Sequence, residues 1–270
     1  MKRSDVDARR PLLAAGALAL ALTLGACSGN DAGAPDAGAS SDPHGSGQAT
    51  GAPADPGGEA PGTEAATAVQ AGIARAAGYN FTLSAVAGEA ELEALRSDPG
   101  DALDGVVVLP AACREPLEKL NFSPAVLGAE AARTDFAAEG VDVTGSVEVA
   151  RIGDRGALDA YYGTVDTLVQ ECSSTTLNIQ EEGAGGGVVP ATVPLSSSRP
   201  ETDADVASAL FWSRAPGHAS LAQQALVLVG ERGGHVAMVS FIGPAGVEDA
   251  NFTAMAEAIL EETLDALPGD

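Results

Sequence analysis

The chain contains three cysteines, and the first, Cys27, follows a segment that is not expected to belong to a folded domain. The N-terminus is basic, with Lys2, Arg3, Arg9 and Arg10, and residues 11–26 are uncharged and mostly apolar. A helix of that length, at about 1.5 Å per residue, falls short of the ~30 Å hydrocarbon core of a bilayer. A basic start, a short apolar run and small residues at its end are typical of a signal peptide, which is removed from the mature chain.

The apolar run ends in Leu24-Gly25-Ala26-Cys27, which resembles the bacterial lipobox. Small side chains let the extended backbone enter a peptidase cleft, and the cysteine thiol accepts a diacylglycerol. The alternative is an ordinary secretory signal peptide with a chance cysteine. We therefore predict that residues 1–26 are a lipoprotein signal peptide and that Cys27 is the lipidated first residue. Two acyl chains would anchor the protein stably to the extracytoplasmic face of the cell membrane.

Lipidation of the first cysteine leaves one pair, Cys113 and Cys172. Outside the cytoplasm such a pair usually forms a disulfide, which we predict here. A metal site would need histidines or further cysteines, and the sequence beside each of the two cysteines provides none. A disulfide closing so long a loop would stabilise the fold by about 4 kcal/mol in the chain-entropy model.

The chain is strongly acidic, with a formal charge of −24. Residues 1–26 contain four basic and two acidic residues, so their removal leaves the mature chain at −26. Such a surface repels nucleic acid and anionic head groups, and neither is an expected partner. Cation binding or a salt-rich habitat could explain the charge, but a solvated, solubilising surface explains it more simply.

Residues 27–66 are predicted to form a disordered tether, because they are mainly Gly, Ala, Pro, Ser, Thr and Asp, with hardly any large apolar side chain. About 40 residues of flexible coil span roughly 35 Å, which would hold a domain clear of the membrane. Residues 67–270 are long enough for one domain with a sizeable core.

The patterns in that domain predict an α+β fold with an antiparallel sheet and flanking helices, because the strands are grouped and do not alternate regularly with helices. Alternation and apolar runs predict strands at 79–85, 106–109, 141–152, 207–214, 224–230 and 235–242, the third of these being buried through Val143, Val147 and Val149. Helical spacing predicts helices at 88–96, 115–120, 158–172 and 249–267. The strand at 106–109 is predicted to be buried, and residues 183–187 and 190–200 to form a mobile loop.

The order of these elements resembles that of a group of actinobacterial lipoproteins. The resemblance rests on Pro110-Ala111-Ala112-Cys113, the strand from Ser146 to Ala150, the helix to Cys172 and the hairpin ending in Ser240-Phe241-Ile242-Gly243. These lipoproteins share a domain with the extracellular sensor of the mycobacterial receptor kinase PknH. The resemblance covers residues 100–267 and implies a disulfide-stapled α+β sheet with a cleft that binds a small ligand. The family often has a second cysteine pair, whereas residues 221–239 here contain no cysteine.

Catalytic chemistry is not predicted. His218 and His235 could combine with Ser220 or Ser240, but neither serine lies in a Gly-x-Ser-x-Gly turn, and His235 follows a hairpin turn where we expect it to be exposed. The acid pairs at 181–182 and 261–262 lack an Asp-x-Asp-x-Asp loop, so neither metal nor cofactor is expected.

Tyr161, Trp212 and Arg214 are the candidate ligand-binding residues, because aromatic rings give contact area at low entropic cost and the guanidinium can meet an anion. Packing in the core or at its rim is the simpler role for the aromatics. Three functions stay open. The first is a non-enzymatic sensor or carrier of a small molecule or lipid. The second is a scaffold or accessory subunit that binds another envelope protein through its sheet or acidic face. The third, and weakest, is a hydrolase.

Overall fold

A computed structural model describes residues 63–96, 103–121, 123–128, 130–182, 188–214 and 222–269. Cys27, the predicted signal peptide and the predicted tether as far as residue 62 lie outside the described residues, as do His218 and Ser220. Within the described residues the helices are α1 (Glu64–Gly78), α2 (Glu89–Arg96), α3 (Arg114–Glu118), α4 (Arg155–Gln170) and α5 (Ala250–Asp265). The strands are β1 (Leu83–Val86), β2 (Val107–Leu109), β3 (Ala131–Ala137), β4 (Thr144–Arg151), β5 (Ser174–Glu182), β6 (Val188–Ser198), β7 (Ser208–Arg214), β8 (Gln223–Arg232) and β9 (His235–Gly243).

The described strands form one antiparallel sheet of nine strands in the order β1-β3-β4-β9-β8-β7-β6-β5-β2. Helices pack on both faces of this sheet, so the predicted α+β class is confirmed. The β8–β9 hairpin turns through Gly233 and Gly234, both with positive φ, which L side chains rarely adopt.

The central strands are buried on both faces, which explains their nearly continuous apolar sequences. On β8, Val227 and Val229 join the core beneath α4, whereas Leu226 and Leu228 join the core beneath α1 and α5. Val143, Val147 and Val149 are all buried, as predicted. The sheet therefore separates two hydrophobic cores, one on each face.

Only part of one sheet face is covered by helices among the described residues. On this face α1 packs on β3 and β4, and α5 packs on β8 and β9. Beyond α5 the same face continues over β7, β6, β5 and β2, and we call this part the open face. Its side chains are exposed or partly exposed and uncharged: Val107, Leu109, Thr176, Asn178, Thr192, Pro194, Ser196, Ser198, Phe211 and Ser213.

The prediction that residues 106–109 form a buried strand is wrong for two of their side chains. Val107 is 57% exposed and Leu109 is 51% exposed, whereas Val106 and Val108 are buried. The strand lies at the edge of the sheet, where one face packs on the core and the other is covered by none of the helices in the described ranges. An apolar run by itself does not distinguish an edge strand of this kind from a central one.

The loop predicted at 190–200 is also wrong, because residues 188–198 form β6 and pair with β5 along its length. Proline cannot donate a hydrogen bond to a strand ladder, yet β6 contains Pro190 and Pro194. The pairing of β6 with β7 begins only at Leu195, so both prolines lie where a strand pairs on one side alone. Residues 183–187 lie outside the described residues.

The predicted disulfide is confirmed. Cys113 and Cys172 are bonded across a sequence separation of 59 residues, and both are almost fully buried. Cys113 directly precedes α3 and Cys172 lies two residues after α4, so the bond joins these two helices on one face of the sheet.

Candidate functional site

Two adjoining cavities, of about 600 and 730 Å³, follow one side of α5. They share Asp203, Ala254 and Glu257, and together we call them the α5 groove. The larger cavity reaches Ser198 and Phe211 of the open face. The groove therefore lies along the boundary between the part of the sheet that α5 covers and the open face.

The floor of the α5 groove is apolar. The floor side chains come from the β6–β7 connection, β7, β8, the segment before α5 and α5 itself: Val206, Phe211, Leu226, Val247, Leu260 and Leu264. Leu226, Val247 and Leu260 are buried, whereas the other three are partly exposed. Each cavity is within the usual volume range for ligand sites, about 300–1,000 Å³.

The rim of the α5 groove is acidic. The smaller cavity is lined by the acidic side chains of Asp203, Asp205, Glu257, Glu261 and Asp265, and the larger adds Glu201 and Glu248. Glu231 also borders the smaller cavity, but its carboxylate bonds to Arg155 and Tyr162 of α4 on the other face of the sheet. Arg232 is the one basic residue among the described lining residues, and it forms an ion pair with Asp265. Carboxylates on both walls create a negative potential that attracts cationic groups.

Hydrogen bonds hold the walls of the groove in place. Glu257 on α5 accepts hydrogen bonds from the backbone N–H of Asp203 at 2.6 Å and of Ala204 at 3.1 Å. Gln224 Oε1 accepts one from Val247 N–H at 3.0 Å. The first two bonds tie the β6–β7 connection to α5, and the third ties the segment before α5 to β8.

The acidic side chains are spread along the groove. In the described part of the chain, no three His, Cys, Asp or Glu side chains come together in a way that could hold a metal ion. Glu257 and Glu261 are four residues apart and lie on one side of α5, while Asp203 and Asp205 line the opposite wall. This distribution suits several separate positive charges.

A buried carboxylate that the sequence did not predict lies on the other face of the sheet. Glu148 is fully buried and accepts hydrogen bonds from Ser123 Oγ at 2.5 Å and from Ala125 N–H at 2.6 Å. Arg133, directly opposite it on β3, donates to Glu148 Oε2 at 3.3 Å and forms an ion pair with Asp135. The network clamps the turn at 123–126 onto the sheet, and burial raises the pKa of Glu148 despite the nearby guanidinium.

Tyr161, Trp212 and Arg214, the predicted ligand residues, lie apart from the α5 groove. Tyr161 on α4 and Trp212 on β7 are buried in the core beneath α4, where burial raises the pKa of the Tyr161 hydroxyl. Arg214 is partly buried, and desolvation lowers the pKa of its guanidinium. Trp212 Nε1 is the buried side-chain nitrogen that, within the described residues, has no hydrogen-bond partner.

The expectation that His235 is exposed is wrong. Its side chain is buried, Nδ1 is 3.0 Å from Gly233 O, and Nε2 is 3.6 Å from Glu64 of α1. At this end of the hairpin the imidazole meets the first residue of α1, a helix that the sequence did not predict. Ser240 is also buried, and its hydroxyl hydrogen-bonds to Ser146 at 2.8 Å.

Within the described residues, no helix is long and apolar enough to span a membrane. The sequence matches no protein-family model and no curated protein. One solved structure to which the chain is similar is the extracellular domain of PknH from Mycobacterium tuberculosis. The two are 10% identical, the match covers 67% of this chain and 82% of that one, and the TM-score is 0.36. At this level of similarity, function has to be inferred from the residues of this chain.

Proposed function

We propose that the mature chain is a lipid-anchored, non-enzymatic protein at the extracytoplasmic face of the cell membrane, where it binds another envelope protein. Its partner-binding surface is the α5 groove together with the adjoining open face. Cys27 carries the lipid anchor, and the tether predicted at residues 27–66 lets the domain contact a partner away from the membrane surface. The observation that supports this proposal most strongly is an apolar-floored groove with acidic walls that continues onto an uncharged sheet face.

The shape of this surface favours a protein partner over a small molecule. Small-molecule sites are usually concave pockets that enclose most of the ligand. The α5 groove instead follows a helix and opens onto a sheet face at whose far edge, on β2, Val107 and Leu109 are more than half exposed. An extended surface that combines apolar side chains with a polar rim is typical of protein-interaction surfaces.

Affinity isolation from detergent-solubilised envelope tests the proposal. The groove variant is Asp205→Lys/Glu261→Lys, which reverses two exposed carboxylates, one on each wall. The matched control is Glu139→Lys/Glu171→Lys, which makes the same charge change at exposed positions away from the groove. We expect one envelope protein, in constant ratio to the bait, with the wild type and the control but not with the groove variant.

Two results would contradict the proposal. In the first, no protein distinguishes the groove variant from the control. In the second, the intact mass of the exported chain lacks a diacylglycerol on Cys27, or a Cys27→Ser chain stays with the membrane after export.

A small-molecule ligand remains a second candidate because of Trp212. A buried indole N–H without a hydrogen-bond partner is unfavourable by about 1–3 kcal/mol, and a ligand acceptor atom would relieve that cost. Native mass spectrometry of the chain purified from envelope tests this candidate. A co-purifying molecule that is absent from Trp212→Phe would support it, and repeated ligand-free preparations would exclude a tightly held ligand.

A further inference from the structure

We infer that the partner enters the α5 groove with an extended segment in which basic and apolar residues alternate. This inference rests on the proposed function and names the chemistry of the partner. The apolar floor runs from Val206 to Leu264, and carboxylates line both walls above it. Side chains of an extended segment point alternately to opposite sides, so apolar residues meet the floor while lysines or arginines stay at the rim.

The charges of the groove exclude other occupants of similar size. A second copy of the chain would bring a formal charge of −26 to an already acidic surface, so the charges of the two copies repel each other. A single metal ion needs converging ligands, whereas the carboxylates of Asp205 and Glu261 stand on opposite walls. Several cations held at intervals along a polypeptide match the spread of carboxylates.

The free carboxylates of the groove are its determinants of charge selectivity. Asp205 and Glu261 are exposed and form no ion pair within the described part of the chain. Glu257, in contrast, is engaged in holding the backbone of residues 203 and 204. Substitution of Asp205 and Glu261 therefore changes the charge of the groove and leaves its walls intact.

Fluorescence anisotropy with a labelled ten-residue peptide of alternating lysine and valine tests the inference. The protein is the full mature chain with Cys27→Ser, which removes the need for detergent. We expect the peptide to bind at about 50 mM salt and to bind more weakly at 200 mM, because salt screens the exposed charges. Asp205→Lys/Glu261→Lys should weaken binding about tenfold or more, and Glu139→Lys/Glu171→Lys by less than about threefold. Near-ultraviolet circular dichroism checks that both variants are folded.

A second peptide, of alternating lysine and serine, has the same charge without apolar side chains. We expect it to bind at least about fivefold more weakly, because nothing on it fills the apolar floor. Equal binding of the two peptides would overturn the role of the floor. Equal weakening by the groove variant and the control variant would overturn the groove as the site.

Competition distinguishes the remaining occupants. If millimolar calcium alone displaces the peptide at constant ionic strength, the groove is a cation site and the inference is wrong. If the wild type is a dimer that the groove variant dissociates, a second copy is the occupant and the inference is again wrong. If the peptide does not bind while envelope isolation still depends on Asp205 and Glu261, the partner is not basic, and the proposed function survives without this inference.

Discussion

Glu148 shows that the structural role of a residue can be invisible in the sequence around it. It lies between Val147 and Val149, so simple alternation would point its carboxylate toward solvent. The structure buries it because the turn at 123–126 folds over this part of β4, and Ser123, Ala125 and Arg133 then satisfy its oxygens. None of these partners is close to Glu148 in sequence, so the sequence could not identify the network.

Glu148→Gln should lower the free energy of unfolding by about 3 kcal/mol at neutral pH, because an amide N–H₂ would face Arg133 and the buried guanidinium would lose one of its two carboxylate partners. Urea denaturation measures the change. Glu139→Gln, at an exposed position in the β3–β4 turn, should leave stability nearly unchanged. A loss below about 1 kcal/mol for Glu148→Gln would show that the network is not a structural clamp.

The pH dependence of stability gives a second expectation for the same residue. Burial raises the pKa of Glu148 above 4.5, so between 4.5 and the folded-state value the folded protein binds this proton more strongly than the unfolded chain does. The stability that comes from this bound proton is thus fully present below pH 4.5 and is lost as the pH rises through that interval, whereas the ion pair with Arg133 and the hydrogen bonds to the carboxylate persist above it. Denaturation curves at a series of pH values should show a flatter profile for Glu148→Gln than for the wild type. Parallel profiles would contradict a raised pKa.

At the scale of elements, the contact between α1 and α5 depends on Gly72. A Cβ atom at this position would lie 2.2 Å from Thr263 Oγ1 and 3.1 Å from Val147 Cγ1. Gly72→Ala should therefore destabilise the protein by about 1–3 kcal/mol despite the higher helix propensity of alanine. Gly78→Ala, with open space around its Cβ, should be neutral or slightly stabilising. Thermal unfolding compares the two, and equal melting temperatures would refute close α1–α5 packing.

The disulfide between Cys113 and Cys172 is the second stabilising contact between elements. Cys113→Ala/Cys172→Ala should lower the free energy of unfolding by about 4 kcal/mol. Without the bond, the unfolded chain gains the conformational entropy that a loop closed across 59 residues restricts. Denaturation of the oxidised protein and the double variant measures this difference. A change below about 1 kcal/mol would mean that the bond adds little to the packing of α3 against α4.

The sequence predicted best those elements that combine a regular spacing of apolar residues with clear turn or cap residues at their ends. The β8–β9 hairpin, α2 and β7 lie at the predicted positions, within one or two residues. For α4 the buried stripe is Leu158, Tyr161, Val165 and Leu168, all within the helix predicted at 158–172. The helix α1 and the strands β3, β5 and β6 were missed, because alanine-rich or Ser/Thr-rich segments have weak periodicity until their tertiary neighbours are known.

At the scale of the whole molecule, the feature that creates the candidate site is that the described helices cover only part of one face of the sheet. Helices α1 and α5 pack side by side over β3, β4, β9 and β8, leaving the rest of that face open among the described residues. The groove exists because Glu257 on α5 meets residues 203 and 204 of a connection more than 50 positions earlier in the chain. The acids themselves are visible in the sequence, but their arrangement as two walls depends on strand order.

The most direct measurement of partner docking is photo-crosslinking in living cells. A photoreactive amino acid replaces Ala254, an exposed residue that lines both cavities, or Gly163, an exposed residue on α4. We expect an adduct of one discrete size from position 254 and none of that size from position 163. Adding Asp205→Lys/Glu261→Lys should abolish the adduct. Adducts of the same size and yield from both positions, or an adduct at position 254 that survives reversal of the groove charges, would contradict docking in the α5 groove.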